Sequence, residues 1–122
     1  MGFREHLEGM LQQVDGAVAA SLMGFDGIAI DTVEAGGAPA SDVDIHTMLV
    51  EYSAILGQIR QAAEVLESGR VVELAVNTEK VNTVLRLITD EYFVVLALAP
   101  QGNFGKARYV LRVTAPKLAG EL

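Results

Sequence analysis

Few residues in this chain combine the type and spacing that chemistry needs. The imidazoles are His6 and His46, and neither belongs to an H-E-x-x-H or His-x-His pattern. With no cysteine in the sequence there is no thiolate nucleophile, no thiolate metal site and no disulfide framework, and a zinc site would have to draw on scattered carboxylates. A surface or helix-end position accounts for each histidine. Asp90-Glu91 is an adjacent acidic pair of the kind that could share general acid and base roles, but it falls where a tight turn is expected, and a solvated turn explains it. Gly102-Asn103-Phe104-Gly105-Lys106 approaches a phosphate loop, G-x-x-x-x-G-K-[ST]. Only two residues separate its glycines, and Ala107 stands where a magnesium-binding Ser or Thr belongs. The sequence therefore offers no catalytic, metal or cofactor constellation.

Two other features suit recognition. Phe25 lies in the turn Gly24-Phe25-Asp26-Gly27, a place that normally carries small polar residues. Such an aromatic is either folded back as a lid or offered to a partner. With Asp26 and Ile28 it forms an apolar and acidic tip, and these three are the candidate contact for a different protein. The second feature is a long helical pattern over Asp42–Glu67. Ile45, Leu49, Tyr52, Leu56, Ile59, Ala63 and Leu66 form one stripe, which Met48, Ile55 and Ala62 widen. A helix apolar around so much of its girth is either one broad core helix or is covered on two sides. In a domain this small, the second cover points to another copy of the chain. Ile45, Met48, Leu49, Tyr52, Ile55, Leu56 and Ile59 are the candidate self-contact. Val72 and Leu74 join them on the following strand, whose edge could pair with its copy.

The elements that must position these residues read in the order α-β-β-α-β-β-β-α. Phe3, Leu7, Met10, Leu11 and Val14 make one helical stripe ending at Asp15-Gly16. Ala17–Met23 and Ile28–Val33 flank the Asp-Gly turn as a hairpin. Glu34–Ala40 is a loop. Ser41 or Asp42 can cap the long helix and Gly69 can end it. Val71–Asn77, Val81–Ile88 and Tyr92–Ala99 read as strands; the last is apolar on both faces, as a central strand must be. A final helix runs from Asn103 to about Ala115, with Ala107, Val110, Leu111, Thr114 and Leu118 near one face and Pro116 ending or kinking it.

With 122 residues, 51% of them hydrophobic and 20% charged, the chain suits a single domain over 1–122 with its own core. The net charge of −7 opposes general binding to nucleic acid or anionic membrane. The charge is uneven: Arg4 and Arg60 face eleven acids up to Gly69, while seven bases outnumber five acids from Arg70 onward. That asymmetry suits a charge-complementary surface. The chain begins without the basic start and apolar run of a secretory signal. Met1-Gly2 lacks the later Ser or Thr of a myristoylation start, and the apolar stretch Tyr92–Pro100 is too short to span a bilayer. Cytoplasm is the expected address.

Leu7–Val14 leading into Asp15-Gly16-Ala17-Val18, then Phe25-Asp26-Gly27-Ile28-Ala29-Ile30, then the long helix and Val71–Asn77, resemble the roadblock family named after the dynein light chains. The whole chain is covered, and topology carries the likeness more than any one residue. Asn103–Pro116 and Met23–Gly27 are most similar to its bacterial polarity branch. The resemblance implies an α/β fold of the α+β type, with a five-stranded antiparallel sheet, helices on both faces, and a homodimer. It implies a non-enzymatic regulator or scaffold in a Ras-like GTPase system that controls cell polarity and motility, placed at the cell poles. The implied partners are a related roadblock protein that activates the GTPase, a response regulator and, indirectly, the GTPase. The alternative is a chain that activates a GTPase directly, by moving its switch loops or lending an arginine finger. Arg70, Arg86, Arg108 and Arg112 are candidates for such a finger by residue type alone.

Overall fold

A computed structural model describes residues 2–36 and 43–122. Its elements are α1 (Phe3–Gln13), β1 (Ala17–Gly24), β2 (Ala29–Glu34), α2 (Ile45–Leu66), β3 (Glu73–Asn77), β4 (Asn82–Leu87), β5 (Tyr92–Leu98) and α3 (Phe104–Glu121). The five strands form one sheet in the order β2-β1-β5-β4-β3, with every neighbouring pair antiparallel. α1 and α3 cover one face and α2 the other.

Alternation along β5 divides the core between these faces. Val94, Leu96 and Leu98 point to α1 and α3, where Leu7, Met10, Val110, Leu111 and Leu118 meet them. Phe93, Val95 and Ala97 point to α2, where Met48, Leu49 and Leu56 meet them. The expected two-faced central strand is therefore β5. On β1 the pairing with β5 shifts between Ala17 and Ala19, and consecutive Val18 and Ala19 both join the α2-side core.

Several boundaries differ from the sequence reading. β2 starts at Ala29 rather than Ile28, and β3 at Glu73 rather than Val71. Residues 37–42 of the expected loop and helix start, including Ser41 and Asp42, lie outside the described residues. The cap of α2 is Asp44, whose Oδ1 accepts from the backbone N–H groups of His46 at 3.0 Å and Thr47 at 3.4 Å. At the other end the left-handed residue is Glu67, at φ 53°, not Gly69 alone. Glu67 and Ser68 N–H groups return to the carbonyls of Glu64 and Ala63, which closes a Schellman turn. α3 passes through Pro116 and runs on to Glu121. Burial of Ala115 and Leu118 in the core offsets the backbone bond that Pro116 cannot donate.

The near-phosphate-loop glycine has a packing role. Gly16, at φ +85°, crosses Gly102 so closely that a Cβ on Gly16 would lie 2.5 Å from the Gly102 Cα. Backbone bonds from Ala99 to Gly16 (2.8 Å) and from Asn103 to Asp15 (2.9 Å) seal the crossing. It ties the end of α1 to the start of α3. The Asn103 Oδ1 caps α3 by accepting from Lys106 N–H at 3.0 Å.

Candidate interaction surfaces

The β1–β2 turn is built by Asp26 and its glycine neighbours. The Asp26 Oδ1 accepts from Ile28 N–H at 3.0 Å, and Gly24 N–H donates to the Ile28 carbonyl at 3.0 Å. Gly27 takes φ +86°, which favours glycine. Phe25 is folded back. Its N–H donates to the Glu91 carbonyl at 3.1 Å, and its ring rests on Phe93 with centroids 4.9 Å apart and planes tilted by 50°. Arg60, reaching over from α2, covers the ring with its guanidinium carbon 3.9 Å from the centroid. The lid arrangement is thus the one adopted, and it leaves Phe25 half-buried. Ile28 stands 67% exposed beside the exposed Asp26.

The structure adds neighbours that sequence reasoning left aside. Asp90, Glu91 and Tyr92 join Gly24, Phe25 and Asp26 around a cleft of about 310 Å³. The solvated acidic turn therefore lies against the hairpin tip. Asp90 also accepts from the Arg70 guanidinium at 2.7 Å. The tip is an apolar ledge edged by carboxylates, and Arg70 neutralises one of them.

The expected self-contact on α2 separates into two sets. Ile45, Met48, Leu49 and Leu56 are buried against the chain's own sheet, and Leu74 packs at the margin of the same cluster. The first four are core of the single chain and leave little area for a second copy, so of the expected self-contact they differ from Leu74, which is half-buried and keeps part of its side chain open. Tyr52 is half-buried on that side. Ile55 (41% exposed), Ile59 (36%) and Val72 (55%) remain open, together with Val50, Val65 and Leu66. β3 lies at one end of the sheet and, among the described residues, pairs with β4 only, which leaves its outer edge free of a strand.

The four arginines considered as fingers are mostly engaged. Arg70 holds Asp90, and Glu73 holds both Arg108 at 2.7 Å and Arg86 at 3.9 Å. The Glu73 carboxylate raises the pKa of Arg108 further by hydrogen bond and charge. Arg112 lies over the Tyr109 ring at 5.5 Å. His6 approaches Glu121 at 4.0 Å, and His46 is exposed at the start of α2. Among the described residues no group of three or more His, Asp or Glu is arranged to hold a metal ion, and no helix is long and apolar enough to cross a membrane.

No protein-family model and no curated protein matches the sequence. Solved structures do. MglC from Myxococcus xanthus is 54% identical, with both chains covered over 100% of their length and a TM-score of 0.73. The gliding protein MglB from Thermus thermophilus is 21% identical over 97% of this chain and 86% of its own, with a TM-score of 0.84. A Roadblock/LC7 domain from Streptomyces avermitilis is 13% identical over 98% of this chain and 97% of its own, with a TM-score of 0.81. The last two share the fold; the first shares the sequence along its whole length. The element order, the antiparallel sheet clad on both faces and that full-length identity make the chain a member of the roadblock family.

Proposed function

We propose that this chain is a non-catalytic, homodimeric roadblock adaptor, one domain over 1–122, in a bacterial polarity system built on a Ras-like GTPase. The observation that carries the reading is the full-length 54% identity to MglC. On this reading the chain binds a related MglB-like roadblock protein and a RomR-like response regulator, and so acts on motility from the cytoplasm at the cell poles. The tip of Phe25, Asp26 and Ile28 meets the MglB-like partner. The exposed Ile28 and Asp26 supply an apolar anchor and a charge, while Arg60 and Phe93 hold the Phe25 ring in place. The open α2 face and the β3 edge supply the self-contact.

The ion pairs on Arg70, Arg86 and Arg108 favour an adaptor over direct activation through an arginine finger, because a finger must be free to enter another protein's site. A single-turnover GTP hydrolysis assay with the cognate GTPase separates the two. An adaptor leaves the rate of the GTPase alone unchanged; a rate increase by this chain without any other protein establishes direct activation instead. For the tip, pull-down of the MglB-like partner is lost with Phe25→Ala plus Ile28→Ala while the dimer persists. Ile28→Ala alone is the cleaner arm, since Phe25 also packs on Phe93. Undiminished capture by both variants removes the tip from the interface.

A further inference from the structure

On the face carrying α3, beside β3, a cleft of about 640 Å³ is lined by Val72, Glu73, Arg86, Arg108, Tyr109 and Arg112 among its walls. Its charge is opposite to that of the whole protein: three arginines stand against one carboxylate in a chain of net charge −7. Glu73 is well sheltered and holds two of them, accepting from Arg108 Nε at 2.9 Å and Nη2 at 2.7 Å and lying 3.9 Å from Arg86. One carboxylate thereby fixes two guanidinium groups without cancelling both charges. Arg112 has no carboxylate partner among the described residues. Its guanidinium lies 5.5 Å from the Tyr109 ring centroid, and the Lys106 ammonium lies 5.8 Å from the same ring. The ring itself is 52% exposed and Val113 is exposed nearby, whereas Val72 belongs to the strand edge assigned to the self-contact.

We infer that this cleft is a docking site for an acidic segment of a partner polypeptide, one with carboxylates spaced around an apolar side chain. The cations flank an exposed aromatic surface instead of converging on one point. That layout suits charges distributed along a chain with an apolar residue between them, and wastes the apolar area on a compact anion. Arginine offers the planar fork that pairs with carboxylates; Arg112 has that fork clear of any carboxylate among the described residues, while Arg108 spends Nε and Nη2 on Glu73 and keeps Nη1. The acidic hairpin tip is formed by other residues, around Asp26, Asp90 and Glu91, so the two surfaces select partners of opposite charge.

The test uses the whole chain and a fluorescein-labelled peptide of alternating glutamate and leucine, followed by anisotropy at low ionic strength. Saturable binding is expected, weakening with salt as a charged contact must. Arg112→Ala, which breaks no ion pair among the described residues, weakens it about fivefold, and Arg108→Ala with Arg112→Ala at least about tenfold, in line with arginine at contact hot spots. Arg4→Ala, remote from the cleft on α1, leaves it unchanged. Amide shifts of the labelled protein on peptide addition cluster at Gly105, Tyr109 and Arg112. The inference is overturned by shifts that cluster elsewhere, or by equal loss with Arg4→Ala. It is overturned as well if inorganic phosphate or phosphatidylglycerol vesicles engage these arginines while the peptide does not.

Discussion

Replacing Ile55 and Ile59 together by serine tests whether α2 is built to meet a second copy. Full burial of an isoleucine side chain contributes roughly 1.5–3 kcal/mol. Ile55 and Ile59 are 41% and 36% exposed in the single chain, so about two-fifths of that value, about 1 kcal/mol each, remains to be gained by covering them. In a two-fold dimer each residue acts twice. Four side chains then carry about 4 kcal/mol, and at 1.4 kcal/mol per tenfold their loss raises the dimer Kd by about a thousandfold. If the partner covers only half of the open area, the rise is still about thirtyfold. Sedimentation velocity across a concentration series reads this directly. Urea denaturation of the dissociated protomer reads a separate loss of about 1–2 kcal/mol per residue, because the other three-fifths of each side chain is already covered within the chain. Leu56→Ala acts on the protomer alone: Leu56 is fully buried within the chain, and its truncation lowers protomer stability by about 2–5 kcal/mol. A wild-type chain that sediments as a monomer at micromolar concentration refutes the self-contact, as does a double variant with the wild-type Kd.

Two further expectations concern the frame that holds these surfaces. Gly16→Ala forces a Cβ to within 2.5 Å of Gly102 at a φ of +85°, so it lowers the denaturation midpoint sharply; Gly57→Ala, in the middle of α2 with open space around it, raises stability by about 0.5–1 kcal/mol. The Asp44 carboxyl is held below the usual carboxylate range, first by the Thr47 hydroxyl and then by the Thr47 backbone N–H. Its folded pKa is depressed, so its stabilisation is present above the unfolded carboxyl pKa and drains as pH falls through the lowered folded value. Circular dichroism of helix content during acid titration reads it: Asp44→Asn starts from lower stability at neutral pH and shows a shallower acid limb.

Local pattern made most of the element order legible. α1 is set by the spacing of Phe3, Leu7 and Met10 and by the Gly16 stop; the helix starts with the stripe at Phe3 and ends at Gln13, just before that stop. β5 is set by an unbroken apolar run. The discrepancies fall where a distant contact outweighs a local rule. Pro116 reads as an end or a kink near Ala115, yet the helix runs through it to Glu121, with Leu118 beyond it fully buried. Gly69 reads as the helix end, yet Glu67 takes the left-handed position two residues earlier. The site shows the same division. Phe25 is conspicuous in the sequence because an aromatic is out of place in a turn. That Arg60 covers its ring is invisible there, because the pair is joined only when α2 lies across the sheet. The anchoring of Arg86 and Arg108 by Glu73 is likewise long-range, and it turns arginines that look interchangeable into two fixed groups beside Arg112, which has no carboxylate partner among the described residues.

The α2 stripe shows most clearly what periodicity leaves open. A 3.6-residue repeat identifies which side chains want to leave water, but it does not say whether the sheet or a second chain will cover each one. Both covers demand the same residue types. The structure assigns Ile45, Met48, Leu49 and Leu56 to the sheet, so the surface left for a partner is narrower than the stripe and centres on Ile55 and Ile59. Two isoleucines at two-fifths exposure are a small patch for a lasting dimer. Val65, Leu66 and Val72, all more exposed, continue it from the end of α2 to the start of β3, where the sheet edge offers backbone bonds as well. A dimer that used the helix alone would leave those three residues in water. One that also joined the β3 edges would cover Val72 and add a hydrogen-bonded ladder. On the proposed reading, a chain this small would therefore need helix face and strand edge together, rather than the helix stripe by itself, to find enough surface to pair with its copy.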